Sequence, residues 1–286
     1  MANVNPGYMG WADIGGVNKI RFTDCNLAAK QEINAPDLIT GNYNRMAYNY
    51  GKVEITGSIS GPVTEDFAAA GAGIWDWGVT RDTCGLLDDK TVDVHYFCNS
   101  GGVGDTDVGF TGVLVNSLTF SCAAGDVAQF STDLMGATVG AFSAGASGKS
   151  GVDEKKLVTW DQVNLTVGAG GPGGAELGAS YFSNFTFTIG NNCTPVYRLG
   201  QADLLPFEIV TGLRSITGSI SVYNLPAVEG VLHYADYTAP ARSTISFSIG
   251  SITVLCNVQF HRIEPSSSTG PIISTVAFTG VGEQNF

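Results

Sequence analysis

A strand-like segment of ten residues occurs twice in this chain, 161 positions apart, and constrains the fold more than any other feature. Residues 51–60 read GKVEITGSIS, and residues 212–221 read GLRSITGSIS. Seven of the ten positions are identical, and six of these are consecutive. Such a repeat marks one structural unit per copy, so it decides the architecture. It predicts two related β domains.

The same order of predicted strands surrounds both copies of the repeated segment. Each copy follows an alternating strand that ends in a Cys/Asn turn, and three more strands come after it. The corresponding ranges are 20–26 and 185–193, 91–98 and 243–249, 112–120 and 252–260, and 127–134 and 272–278. This alignment sets Phe120 against Phe260. The pattern predicts an all-β chain with minor short helices, built as two tandem duplicated β-sandwich or barrel domains.

Length and local composition predict where these domains begin and end. A chain of 286 residues suits two ordinary domains. Residues 136–156 are rich in Gly, Ala and Ser, as is typical of a linker or a mobile loop. We therefore expect a first domain at 1–140, a linker or loop at 141–156, and a second domain at 157–286.

The charge of the chain restricts its partners. The formal net charge is −12, and only 14% of the residues are charged. A protein that grips nucleic acid needs an excess of Lys and Arg, so we expect no such binding. A surface that nucleic acid slides past remains compatible with this charge, and solubility alone would also explain it.

The repeated segment alternates between two faces. Apolar residues and a glycine occupy one face of each copy, as a core-facing strand side requires. The polar residues of the other face are Glu54, Thr56, Ser58 and Ser60 in the first copy and Ser215, Thr217, Ser219 and Ser221 in the second. The shared glycine, Gly57 or Gly218, predicts a bend, a bulge or the close approach of another backbone.

An insertion in the first half carries the most conspicuous aromatic residues, Trp75 and Trp77. Exposed tryptophans often anchor an interface or bind a sugar. A loop that folds back on its own domain, or docks on a neighbouring subunit, explains the pair better than a carbohydrate site does. Short helical turns are predicted on either side, at 66–72 and 84–90.

Motifs that would indicate catalysis or cofactor binding are formal matches only. Residues 168–173 fit GxGxxG, but a proline and more glycines follow where a helix must begin. Residues 148–150 resemble the end of a Walker A loop without its strand and first glycine. His95, His233 and His261 lack the spacing of zinc ligands. We expect no catalytic, metal or cofactor site, and no enzyme activity.

Targeting signals and cysteine spacing predict the compartment. The first 16 residues lack the basic start and apolar run of a signal peptide, and no segment approaches the length of a membrane span. The six cysteines form no CxxC pair, so we expect them to be reduced. They are Cys25, Cys84, Cys98, Cys122, Cys193 and Cys256.

Two groups of motifs resemble the tail tube proteins of tailed bacteriophages. The first is the repeated Ile-Thr-Gly-Ser-Ile-Ser strand, preceded in each copy by a glycine. The second is the block Val115-Asn-Ser-Leu-Thr-Phe120, followed by Gly125-Asp126 and by Phe130-Ser-Thr-Asp-Leu134. The resemblance covers most of both halves in the order of their elements, although its motifs are short.

The resemblance implies a β-sandwich or small barrel that assembles into rings, which stack into a tube in the virion tail. Inner strands of neighbouring subunits then form one barrel around a channel, through which double-stranded DNA passes without specific binding. Six single-domain subunits usually form a ring, so two domains per chain imply a trimeric, pseudo-hexameric ring. Assembly in the host cytoplasm and contacts with tape-measure and terminator or tip proteins follow from the same resemblance.

On this hypothesis the polar face of the repeated segment, Glu54 to Ser60 and Ser215 to Ser221, lines the channel. Trp75, Trp77 and the linker at 141–156 then contact the next ring or chain. The alternative from another class is a phage decoration or tail-tip module that binds a host surface glycan through Trp75 and Trp77.

Overall fold

The structure is a computed structural model, and it describes most of the strands of the chain. The described residues are 10–15, 18–34, 49–65, 67, 73–96, 106–141, 143–144, 156–168, 182–200, 203–223, 243–249, 252–261, 264–266 and 273–281. The formal matches at 148–150 and 169–173, together with His233 and Cys98, lie outside them. So does most of the predicted linker, although Ser143–Ala144 forms a short strand.

Within the described residues the chain is almost entirely β, as the sequence predicts. Alternating, β-branched and aromatic residues favour the extended conformation throughout. The strands of the first half are β1 (Trp11–Ile14), β2 (Asn18–Arg21), β3 (Asp24–Cys25), β4 (Ala28–Asn34), β5 (Asn49–Pro62), β6 (Lys90–Tyr96), β7 (Thr106–Ala123), β8 (Gln129–Gly136), β9 (Thr138–Val139) and β10 (Ser143–Ala144). Those of the second half are β11 (Val163–Gly168), β12 (Phe182–Gly190), β13 (Thr194–Val196), β14 (Glu208–Val210), β15 (Ser215–Tyr223), β16 (Ser243–Ile249), β17 (Ile252–Phe260), β18 (Glu264–Ser266) and β19 (Ile273–Gly280).

The two halves have the same order of paired strands. In the first half the antiparallel order is β1–β6–β7–β8–β5, with β3 and β4 on the far side of β5. In the second half it is β11–β16–β17–β19–β15–β12, with β18 continuing β17 along β19. The repeated segment forms β5 in one series and β15 in the other, so both copies occupy the same position.

One long strand joins the halves. The first part of β7 pairs with β6, whereas its last residues pair with β12 of the second half. A continuous six-stranded sheet therefore runs β5–β8–β7–β12–β15–β19. Its backbone hydrogen bonds cross from one half to the other without a gap, so the two halves share one ladder.

Aromatic rings cross this sheet in a single row on its buried face. Successive ladder partners along the row are Gly61, Phe130, Phe120, Phe187, Gly218, Phe278 and Phe260. All five phenylalanines are at most 5% exposed. Rings of this size dominate the burial of apolar area, so the row forms the centre of a core that spans both halves.

The repeated glycine lies where other groups come too close for a side chain. A Cβ atom on Gly218 would overlap the Phe278 ring and the carbonyl oxygen of Thr186. A Cβ atom on Gly57 would overlap the backbone of Leu27 and the carbonyl oxygen of Asn26. The predicted close approach of another backbone is therefore confirmed at both positions.

The single α-helix of the described residues lies on the tryptophan segment. This helix, α1, spans Ile74–Val79 and packs on β7. The helical turn predicted at 84–90 is wrong: Asp82 accepts the N–H groups of Cys84 and Leu86, and Gly85 has φ of +81°, which closes a tight turn. Except for Phe67, the turn predicted at 66–72 lies outside the described residues.

The start of the second half, at residues 157–167, is not one continuous strand. A 3₁₀ turn at Trp160–Gln162 separates β11 from an isolated bridge, in which Thr159 pairs with Val127 of the first half. The Thr159 hydroxyl and the Gln162 side chain cap this turn. These local bonds satisfy the backbone at the turn, and alternation of side chains does not reveal them.

A buried asparagine fixes α1 to the start of the second repeated segment. Asn191 is fully buried, and its Nδ2 atom donates to the carbonyl oxygens of Gly78 and Val115, each at 2.9 Å. Its Oδ1 atom accepts from Nη2 of Arg81 at 3.2 Å. Arg81 also donates to the Gly212 carbonyl at 3.1 and 3.2 Å.

A second arginine completes this junction. Arg214 donates from Nη2 to the Val79 carbonyl at the end of α1. Burial, together with the nearby charge of Arg81, lowers the pKa of Arg214 to about 10. The guanidinium remains charged at neutral pH, so the hydrogen bonds at the junction are charge-assisted.

We expect Gly218→Ala to destabilise the chain by about 1–3 kcal/mol, because the new methyl group displaces the Phe278 ring or the β12 backbone. Chemical denaturation measures the change in free energy of unfolding. Gly168→Ala in β11 is the control, since its Cβ meets atoms only at 3.7 Å and beyond. Equal effects at both positions would contradict the packing described for β15.

We expect Asn191→Ala to cost about 2–4 kcal/mol, because it leaves two buried carbonyl groups and the guanidinium groups of Arg81 and Arg214 without the side chain that all four contact. The same denaturation experiment with Asn164→Ala, at an exposed asparagine of β11, is the control. A loss no larger than that of the control would show that the junction contributes little to stability.

Candidate assembly and channel surfaces

The face of the six-stranded sheet opposite the aromatic row consists mostly of hydroxyl side chains. We call this the hydroxyl face. Its central ladder row comprises Ser60, Ser131, Thr119, Thr188, Thr217 and Thr279, one from each strand. Across the junction of the two halves, the hydroxyls of Thr119 and Thr188 lie 2.9 Å apart and form a hydrogen bond. Both halves therefore contribute to one polar surface.

All eight polar residues singled out in the repeated segment lie on this face. Ser215 and Thr217 are exposed, and the other six are partly exposed. Their neighbours on the opposite face, such as Ile55, Ile59, Ile216 and Ile220, are at most 4% exposed. The predicted alternation between core and outer face is confirmed. The assignment of the outer face to a channel stays a prediction.

The hydroxyl face carries little positive charge. Lys52 is the only lysine or arginine in the sequences of its six strands. It forms an ion pair with Glu54, and its ammonium group lies 5.7 Å from the Tyr197 ring centroid. The Glu54 partner raises the pKa of Lys52. An anion meets hydroxyl groups and the carboxylates of Glu54 and Asp133 on this face.

The outer edges of the sheet are open in the part of the chain that the structure describes. At one end, β3 and β4 pair only with β5. At the other end, β18 pairs only with β19. Open strand edges present unpaired backbone groups to another chain. Exposed Asp24 and Lys30 flank the first edge.

The two tryptophans proposed for inter-subunit contacts lie within the chain's own core. Trp75 and Trp77 are 8% and 3% exposed. The Trp75 ring centroid lies 5.4 Å from that of Phe120 in the aromatic row. A glycan would need an exposed ring face for stacking, and neither residue offers one. A contact of this segment with a neighbouring subunit stays a prediction.

A group of ionisable residues lies on the smaller set of strands formed by β1, β6 and the first part of β7. Asp93 lies opposite Asp13, and His95 lies 2.7 Å from Asp107 and stacks on Trp11. Burial raises the pKa of Asp93; the charge on His95 opposes this, and the two other carboxylates add to it. Among the described residues, no group of three acidic, His or Cys side chains is arranged to hold a metal ion.

Three of the described cysteines, Cys122, Cys193 and Cys256, are buried thiols. Burial raises the pKa of Cys193 to about 11 and that of Cys256 to about 12. Thiols of this kind are protonated at neutral pH and react slowly. They serve as small apolar core residues, in agreement with their predicted reduced state.

We expect Asp93→Asn to raise the melting temperature at pH 7. A raised pKa means that the folded chain binds this proton more tightly than the unfolded chain does, so stability falls as the pH rises through the pKa of Asp93. The gain should disappear at about pH 2.5, well below the ordinary aspartate pKa of about 3.9, where Asp93 is protonated in both the folded and the unfolded chain. Thermal melts at several pH values test this, with the exposed Asp89→Asn as control. A gain that is independent of pH would contradict this account.

Comparison with known proteins places the chain in a family. No described helix is long and apolar enough to cross a membrane. No curated protein sequence matches the chain significantly. A family model described as phage tail tube protein matches residues 3–280, which is nearly the whole chain. The chain therefore belongs to the phage tail tube protein family.

Proposed function

We propose that three chains close into a pseudo-hexameric ring and that DNA passes along the hydroxyl face inside it. As a family member, the chain is a structural protein of the virion tail that assembles with itself into a stacked tube. The observation that carries the finer proposal is the continuous sheet β5–β8–β7–β12–β15–β19. Its middle ladder already joins two halves of the same strand order, as neighbouring subunits of a ring would be joined.

The count of three follows from this arrangement. If each half takes the place of one single-domain subunit, with boundaries at 1–140 and 157–286, six halves come from three chains. Closure of the ring also removes the open edges at β3–β4 and β18. Assembly in the host cytoplasm, contacts with tape-measure and terminator or tip proteins, and the absence of catalysis complete the proposal.

The chemistry of the hydroxyl face suits a surface along which DNA moves. Tight binding to DNA requires cations that neutralise phosphates and release counterions. The single cation of the six strands, Lys52, is already paired with Glu54. Hydroxyl groups such as those of Thr188 and Thr217 hold water and contribute no net charge. DNA in such a channel is repelled weakly and is held at no fixed position.

Negative-stain microscopy and mass measurement test the ring. Purified protein should form stacked rings with three-fold symmetry, and the smallest ring should have three times the chain mass of 29.8 kDa. A protein that stays monomeric at all concentrations, or rings of six chains, would contradict the proposal.

Lysine substitutions test the channel. Thr188→Lys together with Thr217→Lys should leave the tubes intact but slow DNA ejection, because the new ammonium groups bind phosphates. Retention of DNA by the tubes should weaken as salt is added. Thr253→Lys, at an exposed position of β17 outside the hydroxyl face, is the matched control. If the double variant retains no more DNA than this control, the hydroxyl face does not line the channel.

A further inference from the structure

We propose that the β18 edge of one chain pairs in antiparallel fashion with the β3–β4 edge of the next chain, with Pro265 opposite Leu27. The pairing rests on the proposed ring. It deepens that proposal by naming the two strand edges and their register. The ladder between β7 and β12 within each chain provides the template.

The two open edges correspond to β7 and β12, the strands that form the ladder within each chain. In the second half, β17 and β18 take the place of β7, since they pair with β19 as β7 pairs with β8. In the first half, β3 and β4 take the place of β12, since they pair with β5 as β12 pairs with β15. Within the described residues, each chain therefore presents one copy of each strand without its counterpart.

The repeated glycine sets the register at the β3–β4 edge. Gly57 and Gly218 are equivalent in sequence, and each is approached by a carbonyl oxygen of the neighbouring strand, from Asn26 or Thr186. Asn26 and Thr186, which carry these carbonyls, each come one position before the residue that lies opposite the glycine. Phe187 pairs with Gly218, and Leu27 faces Gly57 between the paired residues of β3 and β4. Leu27 is thus the counterpart of Phe187.

The same glycines set the register at the other edge. Leu134 pairs with Gly57 and Phe278 pairs with Gly218, so β8 and β19 are equivalent with an offset of 144 residues. Phe130 then corresponds to Ser274, whose partner is Pro265.

Phe120 pairs with Phe130 in the first half, so Phe120 and Pro265 are counterparts. An irregularity supports this alignment. The β7–β8 register shifts between Val115 and Ser117, and the register along β19 shifts by one residue between Phe260 and Glu264. The alignment predicted from sequence, Phe120 with Phe260, is therefore wrong by five residues, because it follows the aromatic residues instead of the ladder.

The internal ladder pairs Phe120 with Phe187. In the proposed ladder between chains, the pair that corresponds to Phe120 and Phe187 is Pro265 and Leu27. The next pair along the ladder is Glu264 opposite Ala28, which corresponds to Thr119 opposite Thr188. A proline is tolerated on an edge strand, where its missing N–H group costs at most one ladder bond.

The register also determines how the strands tilt. Ladder partners can be followed from Gly218 in β15 through β12, β7 and β8 to Gly61 in β5. Gly61 lies four residues beyond Gly57, the residue equivalent to Gly218 in the repeated segment. The register therefore shifts by four residues over four strand-to-strand steps. One residue of shift per strand gives a closed barrel whose strands tilt by about 36°. The β3–β4 edge and the β17–β18 edge each add one strand to the six of the continuous sheet, so a chain supplies eight strands and three chains supply 24. At about 4.8 Å between strands, the backbone diameter is about 45 Å.

Disulfide cross-linking of the assembled full chain tests the register. Ala28→Cys with Glu264→Cys places two cysteines directly opposite each other, at a separation that a disulfide spans. Oxidation of rings should give covalent trimers on a non-reducing gel, and the unassembled chain should give none. The control is Ala28→Cys with Gln259→Cys, the pair that the alignment of Phe120 with Phe260 would bring together. Each single-cysteine variant controls for the native thiols.

Trimers from the first pair and not from the control pair support the register. Trimers from the control pair alone overturn it. If rings form and neither pair cross-links, the pairing of these edges is overturned while the proposed ring stands. If the unmodified chain forms no rings under the microscope, the proposed function itself fails, and the register fails with it. Electron cryomicroscopy of tubes that shows a strand tilt far from 36° also overturns the register.

Discussion

The antiparallel ladder between β7 and β12 is the interaction on which the rest of the structure depends. It joins strands far apart in the chain, Thr106–Ala123 and Phe182–Gly190, and merges two halves of equal strand order into one sheet. Because ladder bonds fix the register, every side chain of one half is placed relative to the other. The aromatic row and the hydroxyl face both result from this single alignment.

The two faces of the sheet perform opposite tasks. On the buried face, Phe120 and Phe187 are ladder partners at the junction and belong to a core common to both halves. Burial of apolar area is the main favourable term in folding, so the halves stabilise each other. On the other face, Thr119 and Thr188 form a hydrogen bond across the same junction. A strand with a two-residue period provides both surfaces at once.

The buried polar junction adds specificity to this packing. Asn191 satisfies two carbonyl groups and accepts from Arg81, so the start of the second repeated segment can sit against α1 in only one way. An unsatisfied polar group at this depth would be costly. Sequence patterns do not reveal the arrangement, since Asn191, Arg81 and Gly212 are distant from one another in the chain. The burial of Trp75 and Trp77, which lie on α1, agrees with the predicted loop that folds back on its own domain.

The all-β class, the strand at each copy of the repeated segment and the face on which its eight polar residues lie are predictable from the amino-acid sequence. These features follow from the two-residue period of the side chains, which is a local property. Tertiary structure alone decided that β7 passes from one half to the other and that the register advances by four residues from Gly57 to Gly61. Strand pairing depends on contacts between distant segments. An alignment of similar aromatic residues therefore matches Phe120 with Phe260, whereas the strand pairing matches Phe120 with Pro265, five residues later.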